Sequence, residues 1–186
     1  MGLQNAFSVP IFTTFLDPKI VEHMEALITP RLKNLKEINA IYTSDYYEEE
    51  SIVSPNEIEP FLSNIFNQCV NYGFQHKINI PGPNINYWIQ DYKKDQHHNA
   101  HSHGRSSLSG VYYIRANENA GEILFKNPNP YVYNVEFIED GYKSTTEFYI
   151  KPKTGLLILF PSYLTHQTIP SKEENVIRTC LAFNII

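Results

Sequence analysis

Apolar residues recur at helical spacing twice in the first third of the chain, and in short bursts after about residue 84. Ile20, Met24, Leu27 and Ile28 form the first helical set. Asp17-Pro18 precedes it, an N-cap followed by proline at the first helical position. The second set is longer: Ile58, Phe61, Leu62, Ile65, Phe66, Cys69 and Val70 follow the i, i+3, i+4, i+7 pattern. Ser54-Pro55-Asn56-Glu57 reads as its capping box, and Gly73 as its stop. The stretch between the helices, with Glu48-Glu49-Glu50, reads as a solvated loop.

Strand-like segments follow near 84–92, 108–115, 121–126, 131–138, 145–151, 155–160, 163–169 and 176–184. They are punctuated by Asn127-Pro128-Asn129-Pro130, Asp140-Gly141 and the Pro152 to Gly155 stretch. Short strands at this spacing predict a sandwich, barrel or jelly roll. The expected organisation is a single domain over 1–186, with a helical flank at about 1–80 and a β core at about 84–186.

Composition agrees with that reading. Aromatics make up 13% of residues, including 13 Tyr and 11 Phe, which favour strands. A formal net charge of -5 argues against a surface built for nucleic-acid phosphates. Cys69 and Cys180 are the only cysteines, so a secreted disulfide scaffold is not expected and the cytoplasm is the default location. No basic segment followed by an apolar one suggests a secretory signal, and no apolar run approaches the ~20 residues that span a bilayer.

Candidate chemistry lies in the histidines. Gln96-His97-His98-Asn99-Ala100-His101-Ser102-His103 holds four of the seven. In an extended segment His101 and His103 share one face, a natural pair for a first-row metal; a solvated polar loop is the bland alternative. His97 and His98 would substitute if the register slipped. Gly155 to Phe160 reads as a buried strand, broken by Pro161, before a second strand carrying His166. Arg178 stands inside the apolar segment Val176 to Phe183, where burial is costly without a partner. It either pairs outward with an acid or points inward at an anion, for which its planar fork suits a carboxylate.

Taken in order, His101-x-His103, Leu108-Ser-Gly-Val-Tyr-Tyr-Ile114, Gly121-Glu-Ile-Leu-Phe125, the Gly155 to His166 block and Arg178 to Asn184 resemble iron(II)/2-oxoglutarate-dependent oxygenases. The likeness is to an HxH…LSGxYY oxygenase family and, more distantly, to prolyl hydroxylases. It covers roughly residues 84–186. It implies a mainly β fold with flanking helices, the double-stranded β-helix or jelly roll. It also implies Fe(II) and 2-oxoglutarate as cofactors, with oxidative decarboxylation to succinate coupled to C–H hydroxylation. His101, His103 and His166 would be the metal ligands. Arg178, twelve residues past His166, would bind the distal carboxylate of 2-oxoglutarate, helped by Tyr113. Alternation sets Tyr112 and Tyr113 on opposite faces, and Thr168 should share the face of His166.

Position 103 departs from the superfamily pattern, which carries Asp or Glu there. Three neutral imidazoles leave Fe(II) one negative charge short; Glu122 is a possible distant carboxylate but reads better as part of the Gly-Glu strand start. Trp88 reads as a core residue, and 127–150 as a substrate lid. Two other classes stay open on the sequence: a cupin-like metal enzyme without 2-oxoglutarate, and a non-enzymatic jelly-roll binding module. An inward Arg178 favours the oxygenase. The expected partner is a small-molecule or peptidyl substrate, with no nucleic acid and no membrane.

Overall fold

The computed structural model describes residues 9–38, 41–43, 52–76, 79–104, 106–129 and 146–186. The first helix, α1 (Pro18–Ile28), starts where its cap predicts: the Asp17 carboxylate accepts from Lys19 N at 2.8 Å. The second, α2 (Pro55–His76), opens on the expected box, with Ser54 N donating to Glu57 Oε2 at 3.1 Å. It does not stop at Gly73. That glycine is buried within the helix and the last turn runs on to His76.

The strands are β1 (Phe12–Phe15), β2 (Lys36–Ile38), β3 (Ile41–Thr43), β4 (Ile85–Asp91), β5 (Leu108–Ala116), β6 (Ile123–Lys126), β7 (Glu147–Ile150), β8 (Leu156–Pro161), β9 (His166–Thr168) and β10 (Arg178–Ile185). The first three correct the expectation of a purely helical flank; the Glu48-Glu49-Glu50 stretch, read as a loop between the helices, lies outside the described residues. These three strands extend the large sheet, whose order is β1-β8-β5-β10-β4-β3-β2. The smaller sheet runs β7-β6-β9, and the sequence-predicted strand at 131–138 lies outside the described residues. All the pairings are antiparallel. Two facing antiparallel sheets with helices on the outer side make the double-stranded β-helix that the family resemblance implied, within the architectures the patterning allowed.

Alternation along the central strands divides the apolar residues into two cores. Leu108 and Tyr112 of β5, Leu157 and Leu159 of β8, and Leu181 of β10 pack with Met24, Ile28, Ile58, Phe61 and Ile65 of the helices. Val111, Tyr113, Ile158, Phe160 and Cys180 turn the other way, towards Ile123 and Phe125 of the small sheet. Strands covered on both faces have no solvent side, so β8 is buried throughout. One irregularity interrupts the pattern. Register slips between Thr179 and Cys180, so Cys180 pairs with Tyr113 while Thr179 pairs with Arg115, leaving Ile114 without an opposite number.

Backbone proximity also fixes two glycines. A Cβ on Gly121 would lie 1.8 Å from the Ile169 carbonyl oxygen, and one on Gly110 would lie 2.3 Å from Phe183 Cζ. The first lets the loop after β9 close against β6; the second lets Phe183 lie flat across β5.

Candidate metal centre

The inner face of the large sheet is laid out in rungs set by strand register. Arg178 starts the first, and Tyr92 N donates to its carbonyl at 2.9 Å. Gln90, Cys180 and Tyr113 form the next; Trp88, Ala182 and Val111 the third; Asn184 and Ser109 lie on the fourth. At ~3.4 Å per residue, Arg178 and Asn184 stand roughly 20 Å apart along the strand. A pocket of about 450 Å³, counted to its open mouth, runs over these rungs, and His98, His101, His103, His166 and Thr168 also line it.

His101, His103 and His166 meet over this face, their ligand-capable nitrogens within 4.8 Å of one another. Main-chain pairing brings two of them together: His101 N donates to His166 O at 3.0 Å and His166 N to His101 O at 2.9 Å. His103 N donates to Ser162 O at 2.8 Å, which ties the third to the end of β8. Ring centres lie 4.4 Å apart for His101–His166 and 5.3 Å for His103–His166. The Nδ1 atoms of His101 and His166 face the carbonyls of Asn99 at 2.7 Å and Leu164 at 2.9 Å. A carbonyl only accepts, so each Nδ1 carries the hydrogen and each Nε2 keeps a free lone pair.

Burial pushes His166 down to about 3 and His103 down to about 4, from an ordinary value of 6.5, and the neighbouring histidines add to the effect. Both are therefore neutral imidazoles near neutrality, the form that binds a metal. Glu122 does not join the cluster. His98 does reach the pocket, with its ring 4.7 Å from that of His101, while His97 is exposed.

Arg178 points inward, 2% exposed. Its guanidinium carbon lies 4.7 Å from the Tyr92 ring centre and 5.8 Å from that of Tyr113. Burial alone would lower its pKa; Tyr113, Tyr92 and Cys180 outweigh that, so the net direction is upward and it stays a cation. Among the described residues, neither Nε nor Nη1 of Arg178, nor the Tyr113 hydroxyl, has a hydrogen-bond partner. Burial pushes the Tyr113 phenol up to about 12 against the pull of Arg178, so it remains a donor. A buried cation with idle donors beside an idle hydroxyl is a cradle for a carboxylate.

The family model described as "Putative 2OG-Fe(II) oxygenase" matches residues 86–184. The chain belongs to this oxygenase family. Solved structures share its fold. A Pseudomonas putida prolyl-4-hydroxylase is 14% identical at a TM-score of 0.61, covering 95% of this chain and 91% of that one. A Trichoplax adhaerens prolyl hydroxylase, in complex with a hypoxia inducible factor peptide fragment, is 13% identical at 0.61, covering 96% and 83%. A Burkholderia pseudomallei 2OG-Fe(II) oxygenase is 15% identical at 0.57, covering 92% and 82%. At these identities the likeness is one of fold alone. No curated relative matches the chain in sequence.

Family membership makes the chain an oxidoreductase that uses Fe(II) and 2-oxoglutarate. The residues present fit both: neutral imidazoles for the metal, and the Arg178–Tyr113 cradle for a dicarboxylate. Tyr113 and Thr168 line the oxygenase pocket as alternation predicted, while Tyr112 packs against Phe61 of α2 at 4.8 Å. Trp88 is not simple core: it lines the pocket, with its ring 5.9 Å from that of His103. Patterning did not single out Tyr92, Ser109 or Asn184, all on the pocket side, because nothing along the strands themselves marks that face as an interior. Most of the 127–150 segment, read as a lid, lies outside the described residues.

Proposed function

We propose that this oxygenase holds Fe(II) on His101, His103 and His166, holds the distal carboxylate of 2-oxoglutarate on Arg178 and Tyr113, and hydroxylates a C–H bond of an amino-acid or peptidyl substrate. The observation that carries the reading is the buried Arg178, with Nε and Nη1 unpartnered in the same pocket as the three histidines. A cupin-like scheme gives that cation no role, and a binding module would need a reason for it. When bound, iron and 2-oxoglutarate supply the oxidising power, coupling decarboxylation to succinate with insertion of one oxygen atom of O2 into a C–H bond.

The chain's own residues supply geometry. Nδ1–H bonds to Asn99 and Leu164 hold two imidazoles with Nε2 turned inward. Arg178 and Tyr113 fix one end of the co-substrate, with Thr168 lining the wall between them and His98, to whose backbone N–H its hydroxyl is bonded at 2.6 Å. Trp88, Val111 and Ala182 give the next rung an apolar surface that excludes water from the reacting carbon. A peptidyl substrate is supported by the peptide bound to the Trichoplax structure. The helical flank and β-helix act as one domain, and the proposed location is the cytoplasm; no described helix is long and apolar enough to cross a membrane.

The test is anaerobic titration of metal-free protein with Fe(II), then 2-oxoglutarate, followed by the visible metal-to-ligand charge-transfer band. The band is expected to vanish in His166→Ala and to need higher 2-oxoglutarate in Arg178→Ala. No band, with tight zinc retention instead, would overturn the assignment of these residues.

A further inference from the structure

Ser109 on β5, Ser162 in the turn after β8 and Asn184 on β10 are three polar side chains, 1%, 1% and 3% exposed, in largely apolar surroundings. Burying such groups is costly unless each is satisfied, so the cluster needs a reason. Ser109 Oγ lies 2.9 Å from Ser162 Oγ and 2.6 Å from Asn184 Oδ1. The amide Nδ2 of Asn184 faces His103 Nδ1 at 3.4 Å. Since His103 N also donates to the Ser162 carbonyl at 2.8 Å, the chain of contacts closes into a loop that begins and ends on His103.

This differs from the other two histidines. Backbone carbonyls hold His101 and His166, and a carbonyl can only accept. The Asn184 amide can present either end to His103. With Nδ2 towards the ring, Nδ1 accepts and the ring hydrogen sits on Nε2, blocking the lone pair. With Oδ1 towards the ring, Nδ1–H donates and Nε2 is free. The serines serve both cases. A serine has one hydrogen, so the two Ser109 contacts must run in opposite senses, and the whole chain can reverse: Asn184 Nδ2–H to Ser109 Oγ, then Ser109 O–H to Ser162 Oγ. Only the reversed chain leaves three bare nitrogens to share one cation.

We infer that Asn184, backed by Ser109 and Ser162, is the positioning residue that sets the ligating tautomer of His103, the imidazole standing where the superfamily places a carboxylate. The inference rests on His103 being a ligand. Outer partners of this kind typically change metal affinity about 10–100-fold when lost.

The experiment measures Fe(II) affinity anaerobically by chelator competition, with melting temperatures of the metal-free proteins alongside. Asn184→Leu is expected to bind Fe(II) about 10–100-fold more weakly, and Ser109→Ala more weakly by a smaller factor. Asn184→Asp is the decisive variant. Its carboxylate can only accept, so it locks Nδ1–H and should bind Fe(II) at least as tightly as the parent. A merely structural asparagine predicts the reverse, with the buried acid as damaging as leucine. In zinc-loaded, 15N-labelled protein, a slowly exchanging His103 Nδ1–H should appear in the parent and Asn184→Asp and be lost in Asn184→Leu. Parent-like affinity in Asn184→Leu, or Asn184→Asp as weak as Asn184→Leu, would overturn the inference. If the leucine variant does not fold, Asn184→Asp against Ser109→Ala gives the same decision. Parent-like affinity in His103→Ala would instead remove His103 from the ligand set, a separate failure.

Discussion

His101 and His166 donate main-chain hydrogen bonds to each other in both directions, at 3.0 and 2.9 Å. Their Cα separation is therefore set by backbone pairing and does not depend on the imidazoles. Replacing the partly exposed ring of His101 with a methyl should leave the metal-free fold nearly intact, at a cost on the order of 1 kcal/mol for the lost Nδ1–H bond, while His166, buried against Phe160, should cost more. Iron retention should fall to background. Metal content after reconstitution and desalting, read against melting temperature, checks both halves; a large loss of fold in His101→Ala would count against the backbone account.

Arg178 predicts a split between stability and binding. Its guanidinium is buried against the rings of Tyr92 and Tyr113. Removing a buried cation that lacks an anion costs little and often stabilises. Arg178→Met should therefore raise the melting temperature of the metal-free protein, or leave it unchanged, while weakening 2-oxoglutarate about 100-fold or more, the scale of a lost charged hydrogen-bond pair. Arg178→Lys should not rescue, because an ammonium lacks the planar fork. Calorimetric titration of the iron-loaded variants gives the binding half.

Tyr112 and Tyr113 form a matched pair of tests. Both hydroxyls are buried without partners, yet only Tyr113 faces the pocket. Tyr113→Phe should raise the 2-oxoglutarate dissociation constant about 5- to 15-fold, the worth of roughly 1–1.5 kcal/mol of hydrogen bonding. Tyr112→Phe should leave it unchanged. Equal effects in the two would show that the side chains do not divide between the faces.

Acid should destabilise the metal-free protein. His166 and His103 titrate near 3 and 4 when folded but near 6.5 when unfolded. Between those values the unfolded chain binds more protons, so stability is fully present above about 6.5 and declines as pH falls towards 4. Melting temperatures at pH 7.5 and 5 should differ, and His166→Gln should flatten the difference. Metal competes with protons for the same lone pairs, so loading keeps the folded histidines unprotonated and should leave the difference at least as large.

Patterning along the chain made much of this legible. The strand bearing Leu108, Tyr112 and Tyr113 could be read because branched and aromatic residues fill it, and the His101–His103 pair because spacing and extended geometry put both on one face; His166 joined them through the family resemblance. The short strands Phe12–Phe15 and Lys36–Ile38 could not, since polar residues interrupt them and their partners lie far away in sequence. Gly73 misled because a buried glycine inside a helix serves close packing as readily as it ends a turn. Asn184 and Ser109 were hidden for another reason. A polar residue in a strand ordinarily faces water, and only the second sheet reveals that this face is an interior.

The register slip between Thr179 and Cys180 sorts the chain's cations. Past it, Arg115 turns to the helix side, where its Nε lies 3.4 Å from Glu25 Oε1, while Arg178 turns into the pocket. Deleting one residue between Ser109 and Ile114 would set Ile114 in the place of Tyr113, on the pocket side, and Arg115 in the place of Ile114, still facing the helices. The phenol beside Arg178 would be lost and an apolar side chain put there. The β5 strand can therefore drift by substitution far more easily than by insertion or deletion, because its length sets a reading frame for which side chain stands beside Arg178.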